Sequence, residues 1–108
     1  MTQAEEKFNI IAEKLSTELG NVERGKMMSS PGITYKTKVF AFYYKDQMVF
    51  RLGKGFDPKT VGVEEYSFLS PFKNKPPLSG WFEIPAKYDK KYDELAKIAY
   101  GVMKEEIG

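Results

Sequence analysis

The stretch of residues 38–52 limits the possible folds of this chain more than any other part of its sequence. Two apolar runs rich in aromatic and β-branched residues flank one strongly polar tripeptide, Lys45-Asp46-Gln47. This pattern predicts a β-hairpin with a tight turn at Lys45-Asp46. Tyr43 should then lie opposite Met48, and this pairing sets the register of both strands.

The hairpin register sorts the side chains onto two faces, because successive residues of a strand point to opposite sides of the sheet. One face is apolar throughout, and we expect it to form the core. It comprises Val39, Ala41, Tyr43, Met48, Phe50 and Leu52. The other face, called the second face below, mixes aromatic and polar groups and should meet another surface. It comprises Phe40, Phe42, Tyr44, Gln47, Val49 and Arg51.

Helical patterns lie on both sides of the hairpin. An apolar stripe that follows a Thr2-x-x-Glu5 capping pattern predicts a helix over residues 3–19. A second stripe predicts a helix over residues 90–106, with Asp89 as its N-cap. Gly101 lies inside this helix at a cost of about 1 kcal/mol, so we expect it to allow a close approach of Tyr100 or of a strand.

The segments between these elements complete an antiparallel meander. A short strand over residues 26–29 and a type II turn at Pro31-Gly32 should lead into the hairpin. After the hairpin, Asp57-Pro58 predicts a helical turn. We expect residues 66–80 to form an ordered loop and residues 81–84 to form a short strand. The predicted fold class is α+β in one domain, residues 1–108, with an antiparallel β-sheet meander flanked by N-terminal and C-terminal α-helices in two layers.

The composition excludes several familiar kinds of site. The chain has no cysteine and no histidine, so disulfides, thiolate metal sites and the usual general base are excluded. Gly53-Lys54-Gly55 lacks the spacing of a phosphate-binding loop. We therefore predict a non-enzyme with no catalytic, cofactor-binding or metal-binding residues. No apolar run approaches the ~20 residues of a membrane span, and early glutamates replace a signal peptide, which predicts a cytoplasmic protein without membrane contact.

The net charge of +2 is too small to indicate nucleic-acid binding, but the charge is unevenly distributed. Residues 36–59 hold most of the basic excess and contain a candidate basic strip. Its members are Lys36, Lys38, Lys45, Lys54 and Lys59. Lysines beside an aromatic hairpin most simply protect its edges from aggregation. The same mixture of lysines and rings could stack bases and neutralise phosphates, so weak nucleic-acid binding is an alternative.

Several short motifs occur in an order that resembles the N-terminal domain of the TfoX (Sxy) competence regulators. They are Lys26-Met27-Met28, Pro31-Gly32-Ile33, Lys38-Val39-Phe40-Ala41-Phe42, Pro71-Phe72, Trp81-Phe82-Glu83-Ile84-Pro85 and Leu95-Ala96. The family's usual Phe-Gly-Gly after Met is replaced here by Met28-Ser29-Ser30. The resemblance implies a stand-alone α+β regulatory domain with no known chemistry to transfer.

The resemblance leads us to expect a non-enzymatic interaction or regulatory module that acts through protein–protein contacts. A homodimer is predicted because a small monomer rarely exposes so much apolar surface. Its expected interaction face comprises Phe40, Phe42, Tyr44, Val49 and Arg51. In a competing interpretation, the segment 66–80 folds across this face and the chain is a monomer. Nucleic-acid binding through the basic hairpin and binding of a small molecule are the alternative functions.

Overall fold

The computed structural model describes residues 3–27, 30–53, 55–69 and 78–107. The two α-helices are α1 (Gln3–Glu18) and α2 (Tyr92–Ile107), and two 3₁₀ helices lie at Pro58–Val61 and Ala86–Lys91. The strands are β1 (Val22–Met27), β2 (Ser30–Tyr35), β3 (Lys38–Tyr44), β4 (Gln47–Arg51), β5 (Ser67–Leu69) and β6 (Leu78–Ile84).

The strands form one antiparallel sheet in the order β1-β2-β3-β4-β6-β5. The first four strands are a meander, and β6 then pairs with β4 so that the short strand β5 lies at the edge. Tyr43 lies opposite Met48, as the hairpin pattern predicts. The predicted fold class, an antiparallel sheet with a helix from each end of the chain, is confirmed.

Both helices pack on the same face of the sheet, because each has one apolar stripe and the two stripes share one core. Phe8 and Leu15 of α1 and Leu95 of α2 are fully buried there. Burying side chains of this size contributes roughly 1.5–3 kcal/mol each. Ala41, Met48, Phe50 and Leu52 of the hairpin face this main core as predicted, and Tyr43 packs against it half-buried. No described helix is both long enough and apolar enough to cross a membrane.

A β-bulge in β3 changes which side chains reach the main core. Ile33 and Thr34 of β2 are consecutive, but they pair with Ala41 and Val39, so Phe40 is an extra residue on β3. Phe40 turns into the main core and is fully buried, whereas Val39 packs against a separate apolar cluster on the second face. The sequence-based faces are wrong at these two positions, because strict alternation does not allow for an inserted residue.

The predicted type II turn at Pro31-Gly32 is also wrong, because both residues lie in β2 and pair with β1. Pro31 lies opposite Lys26 of β1, but the pairing of β2 with β3 begins only at Gly32. The proline is therefore at a strand end, where its missing N–H breaks no bond to β3. A Cβ atom on Gly32 would stand 3.1 Å from the carbonyl oxygen of Ala41, so this glycine permits close strand packing.

The remaining boundaries partly match the sequence patterns. The helical turn after Asp57 is present, and the Asp57 carboxylate accepts the Lys59 amide N–H at 3.0 Å. Asp89 lies inside the 3₁₀ helix Ala86–Lys91 instead of capping an α-helix. The predicted loop over residues 66–80 contains β5 and the start of β6, although residues 70–77 lie outside the described residues. The capping residue Thr2 lies outside them as well.

Candidate binding cleft

The expected interaction face is not an open surface. Phe40 is in the main core, and Phe42 and Val49 are fully buried in the second apolar cluster together with Leu69 of β5. Burial of Leu69 there agrees with the competing interpretation, in which the segment after residue 66 covers this face. The apolar surface that motivated a homodimer is therefore absent at these positions, and the homodimer itself stays a prediction.

The two other members of the expected interaction face, and the neighbouring aromatic residues, are less buried. Tyr44 and Arg51 are half-buried. Phe68, which the competing interpretation placed over the second face, packs instead against Phe82 of the main core, with ring centroids 5.0 Å apart, and is 43% exposed. Phe72 lies outside the described residues.

The lysines of the candidate basic strip are divided between distant places. Lys36 lies in the turn before β3 and Lys38 begins that strand, whereas Lys45 lies in the turn that follows it. A seven-residue strand separates its ends by roughly 20 Å. Lys59 belongs to the 3₁₀ helix Pro58–Val61, and Lys54 lies outside the described residues. Among the described lysines of the strip, Lys36 and Lys38 alone are therefore neighbours at one end of β3.

A cleft of about 400 Å³ opens at the end of the sheet where β3 begins and β4 ends. Arg51 of β4 and Trp81 of β6 are paired residues of the sheet, so the sheet forms the floor of the cleft. The last turns of α2 form the facing wall. The apolar lining consists of Val39, Trp81, Met103 and Ile107, and the polar lining consists of Thr37, Lys38, Arg51 and Glu106.

An ion pair joins the two walls of the cleft. The Arg51 Nη1 atom lies 2.5 Å from the Glu106 Oε2 atom and 4.0 Å from the Met103 sulfur. The pair is partly exposed, so its contribution to stability is small, at most about 1 kcal/mol. The pair brings the guanidinium group of β4 to the end of α2, where that helix forms the wall of the cleft.

The rim of the cleft carries a strained turn and an unpaired cation. Lys36 and Thr37 have φ angles of +48° and +72°, a conformation that favours glycine or asparagine in a two-residue hairpin turn. For a β-branched residue such as Thr37 this conformation costs of order 1–3 kcal/mol. Lys38 follows directly, is exposed, and has no ion-pair partner among the described residues.

The only large pKa shift in the described part of the chain belongs to a group in the main core. The Tyr92 hydroxyl donates to the Ile84 carbonyl oxygen at 2.7 Å and accepts the Met48 amide N–H at 3.3 Å. Burial raises the pKa of Tyr92 to about 12, and the N–H bond from Met48 opposes this shift. Tyr92 thus ties α2 to β4 and β6 and has no contact with the cleft.

Sequence reasoning missed most of the cleft. Arg51 and Lys38 were singled out for other reasons, but the pairing of Arg51 with Glu106 joins residues 55 positions apart in the chain. The one signal available in the sequence was Ile107, an apolar residue that breaks the polar end of the second helix. No described group of three or more acidic side chains is arranged to hold a metal ion.

Comparisons with protein-family models, with curated proteins and with solved structures found no match for this chain. The class of protein is therefore defined by the structure: a two-layer α+β domain with an apolar cleft at one end of its sheet. The resemblance to the TfoX N-terminal domains stays a prediction.

Proposed function

We propose that this chain is a non-enzymatic binding module, of the regulatory kind that the resemblance to TfoX N-terminal domains implies, and that its ligand binds in the cleft. The observation that supports this proposal is the cleft itself. Its walls expose mainly apolar surface, and its polar lining includes Lys38 and the ion pair of Arg51 with Glu106. Concave sites of this composition and of roughly 300–1,000 Å³ are typical of ligand binding.

The energetics of the lining favour occupation by an apolar group. Ile107 is 40% exposed and Trp81 is half-buried, so a ligand would remove apolar surface of both side chains from water. Each 100 Å² of apolar surface so buried contributes roughly 2.5 kcal/mol before the entropic costs of association.

Two other functions have less support. Protein–protein contacts through the second face would require Phe42 and Val49 to be accessible, and both are buried. Nucleic-acid binding would need a continuous basic surface, whereas Lys38 and Lys45 lie at opposite ends of β3. The cleft is therefore the surface that we assign to binding.

A blocked cleft provides the test of the proposed function. We expect fragments from a chemically diverse library to shift the backbone amide NMR signals of Thr37 and Val39 and the indole signal of Trp81. Ile107→Trp places a larger side chain at the mouth of the cleft and should abolish these shifts. Ile10→Trp is the matched control, because Ile10 is an exposed isoleucine on the other helix, 62% accessible to solvent.

Two results would contradict the proposed function. If no fragment shifts the signals of the cleft, or if Ile107→Trp and Ile10→Trp leave binding equally intact, the cleft is not the binding site. Circular dichroism of both variants confirms that each remains folded before binding is compared.

A further inference from the structure

We infer that the ligand of the cleft is a small amphiphilic monocarboxylate, a molecule with one apolar chain or ring and a single terminal carboxylate. The inference rests on the proposed function, and it adds the chemical class of the ligand. Three properties of the cleft lead to it: its size, its charge and the hydrogen-bond donors of its lining.

The size of the cleft favours a small molecule over a macromolecular segment. One turn of an α-helix, 10–12 Å wide and 5.4 Å long, already occupies roughly 400–600 Å³. A cleft of about 400 Å³ therefore cannot enclose a docked helix. It can enclose a single short chain or ring, which the side chains of Val39, Trp81 and Met103 would contact.

The charge of the cleft favours a monoanion. Among the described residues that line it, two cations, Lys38 and Arg51, stand against one anion, Glu106, which leaves an excess of one positive charge. That excess of positive charge would repel a cationic ligand, and a neutral ligand would not compensate it. A ligand with one carboxylate compensates it, and a charge-assisted hydrogen bond is stronger than one between neutral groups.

Among the described residues, Arg51 and Lys38 keep hydrogen-bond donors that such a carboxylate could accept from. Both contacts of the Arg51 guanidinium, to Glu106 and to Met103, use the Nη1 atom. A guanidinium has five N–H donors, so the groups on Nη2 and Nε have no partner among the described residues. The three donors of the Lys38 ammonium are also without one. Lys38 follows directly on the two-residue turn at Lys36 and Thr37.

The test compares three probes that share one alkyl chain and differ only in charge: octanoate, octanamide and octylamine. Binding is followed by the fluorescence of Trp81, the only tryptophan in the chain, and by titration calorimetry. Octanoate should bind about tenfold more tightly than octylamine, with octanamide between them, and its advantage should shrink as salt is added. Equal or tighter binding of octanamide or octylamine would overturn the inference, as would failure of octanoate to bind.

Charge variants at the cleft sharpen the same test. Lys38→Gln should weaken octanoate binding about threefold to fivefold, whereas Glu106→Gln should strengthen it by a similar factor, because the carboxylate that competes for Arg51 is removed. Lys45→Gln, at the far end of β3, is the control and should change nothing. If Lys38→Gln and Lys45→Gln have the same effect, Lys38 does not bind the carboxylate.

The failure of this inference can be told apart from the failure of the proposed function. If octanamide or octylamine shifts the NMR signals of the cleft as strongly as octanoate, the cleft binds ligands but does not select carboxylates. If none of the probes and no library fragment binds there, both proposals fail.

Discussion

Phe42 shows how much depends on one side chain of the second face. Its ring lies 5.7 Å from that of Trp81, between centroids, and it is fully buried beside Val49 and Leu69. A sequence reading that places Phe42 at a dimer contact and a structure that places it in a small core predict opposite results for the same substitution.

Phe42→Glu should therefore unfold the protein or destabilise it severely. Loss of a buried Phe costs about 3–5 kcal/mol, and an unpaired buried carboxylate adds to that. Urea denaturation followed by circular dichroism measures the effect, with Ile10→Glu on the exposed side of α1 as the control, where a change below about 0.5 kcal/mol is expected. A Phe42→Glu variant that is folded and monomeric, from a dimeric parent, would restore the dimer interpretation.

Gly101 also acts differently from the sequence-based expectation. Apart from its own helix backbone and its chain neighbours, a Cβ atom added there would meet nothing within 4 Å, so no close approach of a strand requires the glycine. Gly101→Ala should stabilise the protein by about 1 kcal/mol, because alanine loses less backbone entropy in a helix. Gly32→Ala, where the new Cβ would stand 3.1 Å from a carbonyl oxygen, should destabilise it. Thermal melts of the two variants with opposite signs would agree with this account, and a destabilised Gly101→Ala would contradict it.

Among the elements, α2 is held to the sheet by a specific polar contact as well as by its apolar stripe. The Tyr92 hydroxyl bonds to Ile84 of β6 and to Met48 of β4 within the main core. In the folded protein its pKa is raised from about 10 to about 12, so the neutral form is the one that the fold stabilises. This stabilisation is fully present below pH 10 and is lost as the pH rises through 12.

Tyr92→Phe should cost about 1–3 kcal/mol at neutral pH, because the Ile84 carbonyl oxygen and the Met48 amide lose a buried partner. Between pH 9 and pH 12 the wild type should lose about 2–3 kcal/mol more stability than the variant, since only the wild type must ionise this hydroxyl on unfolding. Urea titrations of both proteins across this range measure the difference. Parallel losses in the two proteins would show that Tyr92 does not control the alkaline transition.

The elements also show where sequence patterns succeed and where they fail. The hairpin register and both helices were predictable because aromatic alternation, apolar stripes and a polar tripeptide are local signals. The bulge at Phe40 was not, because it depends on how β3 pairs with β2. The position of Pro31 in a strand was not predicted for a similar reason. A strand tolerates a proline only where its missing N–H would have no partner, and this depends on the neighbouring strand. The cleft was out of reach, because Arg51 and Glu106 meet only in the folded chain.

At the scale of the whole molecule, the two helices cover one face of the sheet, and a small apolar cluster that includes Leu69 lies on the other. The large apolar side chains that remain exposed in the described part of the chain are scattered: Ile10, Phe68 and Ile107. A homodimer would have to use a surface other than the buried hairpin residues, and sedimentation equilibrium of the wild type would reveal it.

The position of α2 has a consequence for the synthesis of the protein on the ribosome. Leu95, Ala99 and Met103 belong to the same main core as α1 and the sheet, although they are translated long after Phe8. Until residues 92–107 have left the exit tunnel, the part of the core that α2 covers is exposed, including the rings of Phe40 and Phe50, which lie beside Tyr100 and Tyr92. The nascent chain therefore shows an aromatic surface of the kind that chaperones bind.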